Sequence, residues 1–401
     1  MKTIGILKNS IQEYAWGSYT AISQLLGKTV PSDKPEAELW MGAHPKAPSQ
    51  VYYRNQWVSL LELIETYPVD ILGKKTADKF SNKLPYLFKV LAAETPLSIQ
   101  AHPNRIQARQ GFEKENREKI PIIAVNRNYK DDHHKPECIC ALTPFWALNG
   151  FRPINEILEH MGKVCPNSLE PERAHLRNHQ DSQGLKHFFQ FLMTMETERK
   201  KAVVDMAIRH AEKMSRRAPA YQWMVKLNNE YEGDVGVFSP VLLNLVCLSP
   251  GQAMFLPAGE LHAYLEGVGI ELMANSDNVL RGGLTPKHID VEALLEVLNF
   301  EEREIEILTP RMTGKAEGVY ESFAAEFILS VITVTEGVAY TGPLDRSIEI
   351  LLCIDGEAGI LGAGEKGPIT VSKGMSVMIP AAVETYGIKG NAVLYKASVP
   401  V

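Results

Sequence analysis

Four side chains of this 401-residue sequence have the types and spacing to hold a divalent metal ion: Gln100, His102, Glu137 and His262. The last closes the stretch Gly251-Gln-Ala-Met-Phe-Leu-Pro257-Ala-Gly259-Glu-Leu-His262, which reads as strand, tight turn, strand. Its glycines permit backbone angles other residues resist, the proline stiffens the strand end, and alternation aims His262 inward. In Pro96-Leu-Ser98-Ile-Gln100-Ala-His102-Pro103 the glutamine and the second imidazole stand at alternate positions. Both therefore face one side of an extended strand, about 7 Å apart along the backbone. Glu137 opens an apolar strand behind the stiff Lys135-Pro136, and a buried glutamate needs a cation. Together the four make a nitrogen and oxygen set with one negative charge and no thiolate. Such a set suits Zn²⁺ or a similar divalent ion with one position open for water or substrate.

The elements that must position these groups come in blocks. Residues 1 to about 150 mix short strands with helix-like patches, among them Leu84–Leu91 and the polar run from Asn104 to Lys119. From Ile154 to about Tyr231, residues such as Val203, Ala207, Ala211 and Met214 recur at helical spacing among charges, the mark of a helical insertion. The strand pattern returns at Val241–Leu248 and runs into the glycine-proline stretch, so a first β-barrel is interrupted and then resumed. A helix should follow, capped by Thr285, with Pro286 in its first turn and Val291, Leu294, Leu295 and Leu298 as its buried stripe. Beyond about residue 320 strands dominate, as in Phe327–Val334 and Ile348–Ile354, the latter followed by a turn at Asp355-Gly356. Gly374 to Thr385 repeats the glycine-to-proline spacing of Gly251 to Pro257, with Ala382 replacing the second glycine and Thr385 the histidine. That is an internal repeat without its ligand, which predicts a second barrel lacking the metal site. The expected fold class is mainly β with a helical insertion: two β-barrels plus an all-α domain. The expected units are residues 1–150 with 240–320, residues 151–239, and residues 321–401.

Composition narrows the function. A net charge of −6 argues against nucleic-acid or membrane partners, so an anionic ligand must be met by a local cluster of bases. Five cysteines, an odd number without scaffold spacing, fit a reduced cytoplasmic protein. Cys138 and Cys140 read as small buried strand residues on one apolar face. The start MKTIGILKNS lacks the apolar run of a signal peptide, and no stretch approaches the roughly 18 apolar residues of a membrane span, so a soluble chain is expected. No phosphate-binding glycine loop, dinucleotide fingerprint or G-x-S-x-G elbow is present. Asp131-Asp132-His133-His134 reads as a solvated loop, because adjacent strand residues face opposite sides. His44, in Gly42-Ala-His44-Pro45, suits a structural turn or a chemical role equally.

Ser98-Ile-Gln100-Ala-His102-Pro103, Lys135-Pro136-Glu137, Pro257-Ala-Gly259-Glu-Leu-His262-Ala-Tyr264 and Ser276-Asp277-Asn278-Val-Leu-Arg281-Gly-Gly-Leu-Thr285-Pro286-Lys287 resemble the type I mannose-6-phosphate isomerases, zinc enzymes of the cupin superfamily. Tyr14-Ala-Trp16-Gly17 and Ala37-Glu-Leu-Trp40-Met-Gly42-Ala-His44-Pro45 are similar to that family's N-terminal signatures. The resemblance runs from about residue 10 into the C-terminal strands and implies two cupin-like jelly-roll β-barrels. It also implies one Zn²⁺ per chain on Gln100, His102, Glu137 and His262, with Arg281 as a catalytic residue. Gly282-Gly283 departs slightly from an expected Ala-Gly.

Interconverting an aldose phosphate and its ketose needs a proton moved between neighbouring carbons, an oxygen polarised, and the phosphate held. The metal would act as a Lewis acid and Arg281 would stabilise the developing negative charge. Glu271 is a candidate base for the proton transfer, or alternatively binds a hydroxyl or Arg281. Lys89, Lys135 and Lys287, with the hydroxyl of Ser98, are candidates for the phosphate, and Tyr264 and Asp277 for the pocket wall. The expected partner is a sugar phosphate, bound by a monomer. Two rival readings are an iron-dependent cupin dioxygenase and an inactive sugar-binding bicupin. The glutamine ligand and the bases oppose the first, and the complete ligand set with Arg281 opposes the second.

Overall fold

The computed structural model describes residues 1–401, whose strands form one sheet of eleven and one of ten, with helices packed outside the smaller sheet. The ten-stranded sheet is organised on the long strand His262–Ala274. Its second half pairs antiparallel with Tyr86–Ala93 and with Glu137–Ala141. Its first half pairs with Phe145–Phe151 and, at His262, with Ile99–Ala101. The change of partners falls at Gly267, where φ is +130° and a Cβ would stand 2.6 Å from the Pro144 carbonyl oxygen. Glycine alone tolerates both conditions.

Leu84–Leu91, expected to be helix-like, instead enters the strand Tyr86–Ala93. All eight residues of that strand are buried, and a strand covered on both faces shows an apolar run, here broken only by Lys89, that periodicity cannot separate from a buried helix. The run from Asn104 does form a helix, Arg105–Arg117, started by a reciprocal box in which Asn104 and Gln107 each bond the other's backbone N–H.

Five helices occupy Ile154–Val164, Glu170–Asn178, Ser182–Thr194, Thr197–Met214 and Pro219–Glu230. Their apolar stripes meet Leu261, Ala263 and Leu265 in a core of 43 buried residues. These three alternate with His262 and Tyr264, so the helices press on one face of the strand whose other face carries the imidazole.

Two local expectations fail for identifiable reasons. The helix after Thr285 begins later, as Val291–Val297, with the Asp290 carboxylate accepting from the Ala293 N–H. Leu284 at φ +53° turns the chain first, which leaves the Thr285 hydroxyl to accept from the Lys287 N–H in a loop. Asp355-Gly356 is no turn. It lies inside the continuous strand Glu349–Gly362, where the register against Tyr386–Ser398 shifts between Cys353 and Asp355. Positive φ at Gly356 serves a bulge as readily as a hairpin.

The eleven-stranded sheet takes Gly5–Lys8 and Gln50–Tyr53 onto the C-terminal strands through pairing of Gly5–Lys8 with Ser376–Ile379. A core of 35 residues lies between the two sheets, holding Cys138, Cys140, Ile270 and Leu272 against Ile350, Leu352, Tyr395 and Ala397. The repeated motif is visible in the backbone: Gly251 (φ +85°) and Gly374 (φ +86°) precede Ala253–Leu256 and Ser376–Ile379, each followed by a proline. Hydrogen bonding in both sheets follows forked paths with free ends and shows no ring closure.

Candidate metal centre

Strand register brings the candidate ligands together. Arg281 lies opposite Gln100, Gln100 opposite His262, and His262 opposite Asn149, across four adjacent strands. Residues directly opposite share a face, so Gln100 is flanked by the guanidinium on one side and the imidazole on the other. Glu137 reaches the same place from the start of its own strand. Its Oε1 is 3.3 Å from His102 Nε2, and its Oε2 is 3.4 Å from His262 Nε2.

His102, Glu137 and His262 are all buried, and their ligand atoms lie within 4.8 Å of one another. The Nδ1–H of His102 donates to the Asn278 carbonyl at 2.7 Å, and that of His262 to the Glu260 carbonyl at 2.9 Å. Each imidazole thus keeps an Nε2 lone pair aimed at carboxylate lone pairs. His102 Nε2, His262 Nε2 and Glu137 Oε2 have no hydrogen-bond partner. Three buried acceptors facing one another are stable only around a cation, so the residues fit a divalent metal. Burial and the Lys135 ammonium push His102 down to about 4, the neutral ligand form. Burial alone would raise Glu137, but Lys135, 3.0 Å away, and the imidazoles outweigh it and hold the carboxyl well below its usual range. Gln100, the fourth candidate, is half-buried and stands opposite His262.

The comparisons with known proteins agree with this centre. A family model described as phosphomannose isomerase type I, catalytic domain, matches residues 4–154. The mannose-6-phosphate isomerase of Escherichia coli (strain K12) is 41% identical over 387 residues, 96% of this chain and 97% of that protein. This chain belongs to the type I phosphomannose isomerase family. The human mannose-6-phosphate isomerase is 40% identical over 324 residues, 73% of this chain and 72% of its own length. A crystal structure of a mutant phosphomannose isomerase from Salmonella typhimurium superposes with a TM-score of 0.91 at 38% identity, covering 99% of this chain and all of that one. A zinc-bound mannose 6-phosphate isomerase gives a TM-score of 0.90 at the same identity and coverage.

In this member of the type I phosphomannose isomerase family, Glu271 is tied to Lys89 rather than to Arg281. Glu271 Oε2 accepts from Lys89 Nζ at 2.9 Å, and Lys89 also stands 3.5 Å from Glu38, whose other oxygen takes the Trp40 Nε1–H at 2.6 Å. All four side chains are buried. Burial raises Glu271, Lys89 opposes that, and Glu137 and Glu38 add to it. Burial would lower Lys89, but Glu271 and Glu38 outweigh it and keep the ammonium charged. Tyr264 is buried, and its hydroxyl has no partner.

The lysines expected to gather around one phosphate are divided. Lys89 and Lys135 are engaged in buried ion pairs, whereas Lys287 is exposed and Ser98 half-buried. A different basic group forms around Asp277, which pairs with Lys46 at 2.6 Å and lies 3.7 Å from His44 Nε2. Lys130 is lowered by burial; Asp277 opposes this, while the charges of Lys46, Arg281 and Lys287 add to it. Arg281 itself is half-buried and enters no ion pair or hydrogen bond through its guanidinium, and burial lowers it.

Sequence reasoning missed Lys46, Lys130, Glu38 and the bracket behind His102. Asn278 is fully buried. Its side chain accepts from the Lys130 N–H at 2.7 Å and donates to the Asp131 and His133 carbonyls, both at 2.9 Å. Asp131 in turn accepts from Ser276 Oγ and the Asp277 N–H, each at 2.8 Å. The loop expected to be merely solvated therefore fixes the carbonyl that orients His102. Only Asp132 and His133 project to solvent; His134 bonds Glu326 at 2.8 Å. The pairing of Asn278 with Asp131 spans 147 residues, and no local pattern announces it.

Proposed function

We propose that this chain is a zinc-dependent aldose–ketose isomerase that interconverts mannose 6-phosphate and fructose 6-phosphate, with Gln100, His102, Glu137 and His262 as the ligands of one Zn²⁺. The observation that carries the reading is the trio of buried, partnerless acceptors beside an unpaired guanidinium, in a chain of this family. Bound there, Zn²⁺ supplies Lewis-acid polarisation of substrate oxygens.

The protein's own groups do the remaining work. Arg281, charged and free of any counter-ion, meets the negative charge that develops as an enediolate forms between carbons 1 and 2. Glu271, raised by burial, is suited to carry the proton between these carbons, and Lys89 keeps it oriented and ready to receive that proton. Lys287, Arg281, Lys46 and Lys130, with Ser98, form the positive rim suited to a phosphate, while Asp277 and Tyr264 line the pocket. Lys135 acts on Glu137 rather than on substrate. The strand repeat supports two cupin-like jelly-roll units, residues 1–150 with 240–320 and residues 321–401, around an α-helical insertion at 151–239, with Gly5–Lys8 and Gln50–Tyr53 of the first unit extending the sheet of the second.

The test is isomerisation of mannose 6-phosphate by purified protein, before and after chelation and after zinc is restored. Chelation should abolish turnover and zinc should return it. Metal-replete protein that binds sugar phosphates without turnover would overturn the proposal in favour of a binding protein.

A further inference from the structure

The helical segment carries a second cluster of imidazoles, far in sequence from the centre above. His175 lies in the last turn of Glu170–Asn178, His179 is the residue that caps that helix, and His187 lies in Ser182–Thr194. The rings of His175 and His179 stack with centroids 4.3 Å apart, and those of His175 and His187 are 4.6 Å apart. All three are exposed and line one surface hollow of ≈ 300 Å³ together with Asp181. We propose that His175, His179 and His187 form a second binding site for a borderline divalent transition metal, Zn²⁺, Ni²⁺ or Cu²⁺, bridging the two helices of this hairpin.

Three observations carry it. None of the three imidazoles is in an ion pair, and desolvation and the two neighbouring rings hold His175 below its ordinary value. Neutral imidazole is the form that ligates. The Nδ1–H of His179 donates to the His175 carbonyl at 3.0 Å, which leaves its Nε2 lone pair outward, the tautomer a metal ligand needs. The last backbone turn keeps His175 and His179 at i, i+4 spacing, with the His179 N–H bonded to the His175 carbonyl at 3.1 Å.

Metal–nitrogen bonds of about 2.0–2.1 Å place ligating nitrogens roughly 3.4 Å apart. The His175 ring stacks on that of His179 and is tilted against that of His187, so gathering three nitrogens on one ion requires these exposed side chains to change rotamer. An all-nitrogen set selects zinc, nickel or copper over magnesium or calcium. Asp181 spends one oxygen on the Gly184 N–H at 2.8 Å, capping the second helix, which leaves the other facing solvent.

This inference is independent of the isomerase reading. The experiment is equilibrium dialysis of tag-free full-length protein against buffered Zn²⁺, with metal counted per chain, for the natural protein and for the double variant His175→Ala/His187→Ala. The natural chain should take up two zinc ions and the variant one, with the affinity of the lost site weakened at least tenfold. Zinc should also raise the melting temperature of the natural chain more than that of the variant. Isomerase activity should be equal in both, which separates this site from the first. A natural chain that binds a single zinc ion, or a variant that still binds two, overturns the proposal. Circular dichroism of the metal-free variant, superimposable on that of the natural chain, excludes misfolding as the cause of the loss.

Discussion

Replacing Asn278 with Ala tests the claim that a buried amide, rather than the ligands alone, sets the metal centre. The substitution removes five hydrogen bonds from a fully buried position: three short ones, to the Lys130 N–H and to the Asp131 and His133 carbonyls, and two at 3.2 Å, to the Asp131 N–H and the Asp131 carboxylate. At about 1 kcal/mol for each of the three short bonds the stability loss should be about 3 kcal/mol, less whatever the freed loop regains from water. The Asn278 carbonyl, which anchors His102 Nδ1 at 2.7 Å, loses its fixed position at the same time. Loosening such an outer partner weakens metal binding by about 10- to 100-fold, or about 1.4–2.8 kcal/mol. Urea unfolding measures the first quantity, and competition with a chromophoric chelator measures zinc affinity. Turnover per bound zinc should change far less than affinity. A variant that loses the stability but keeps zinc affinity within twofold refutes the reasoning, because the bracket would then hold the loop without orienting the imidazole. Asn278→Asp should do no better, since a carboxylate would face two carbonyls and the Asp131 carboxylate.

Other consequences follow from the same geometry. Arg281→Ala should leave zinc content intact and lower turnover by about 10²-fold or more; normal turnover would remove Arg281 from the reaction. Lys89→Met should leave Glu271 and Glu38 buried without their cation, so the acid limb of the kcat/KM profile should move to higher pH. An unmoved limb would exclude Glu271 as the base. Metal-free protein should lose stability as pH falls from about 6.5 towards about 4. Over that window the unfolded chain protonates His102 while the folded chain, with the group held near 4, does not. The gap is worth about 3 kcal/mol. Melting temperatures that stay level between pH 7 and 5 would show that His102 is not held neutral.

The residues that converge were legible because their signal is local. Gln100 and His102 alternate along one extended segment, Glu137 starts a strand, and His262 follows a glycine-proline turn, so period-two alternation orients these candidates. What was not legible arrives by tertiary contact. Asn278 acts on His102 through a backbone carbonyl, a group every residue carries, and its own bonds reach Asp131 and His133 across a gap in sequence. Glu38 joins Lys89 and Glu271 only because Glu38–Met41 and Tyr86–Ala93 pair side by side. Lys46 and Lys130 sit in loops whose composition resembles any solvated surface, and only the fold turns them towards Asp277 and Arg281.

Burial explains both the successes and the misreadings. Tyr86–Ala93 hid its strand character because both of its faces are covered, one by the core between the sheets and the other by the polar interior with Lys89. His262–Ala274 declared itself because its first turn of sequence alternates. Leu261, Ala263 and Leu265 go to the helices, while His262 and Tyr264 go to the centre. The helical segment is then the wall that makes this alternation meaningful. With helices covering the apolar positions, a one-residue slip would bury Nε2 of His262 among leucines and expose the leucines to the metal site, a double penalty that locks the register. Glycine at 267 ends that lock where it must end, letting one strand serve two sets of partners, with His262 against Glu137 and Glu271 within reach of the same carboxylate's charge.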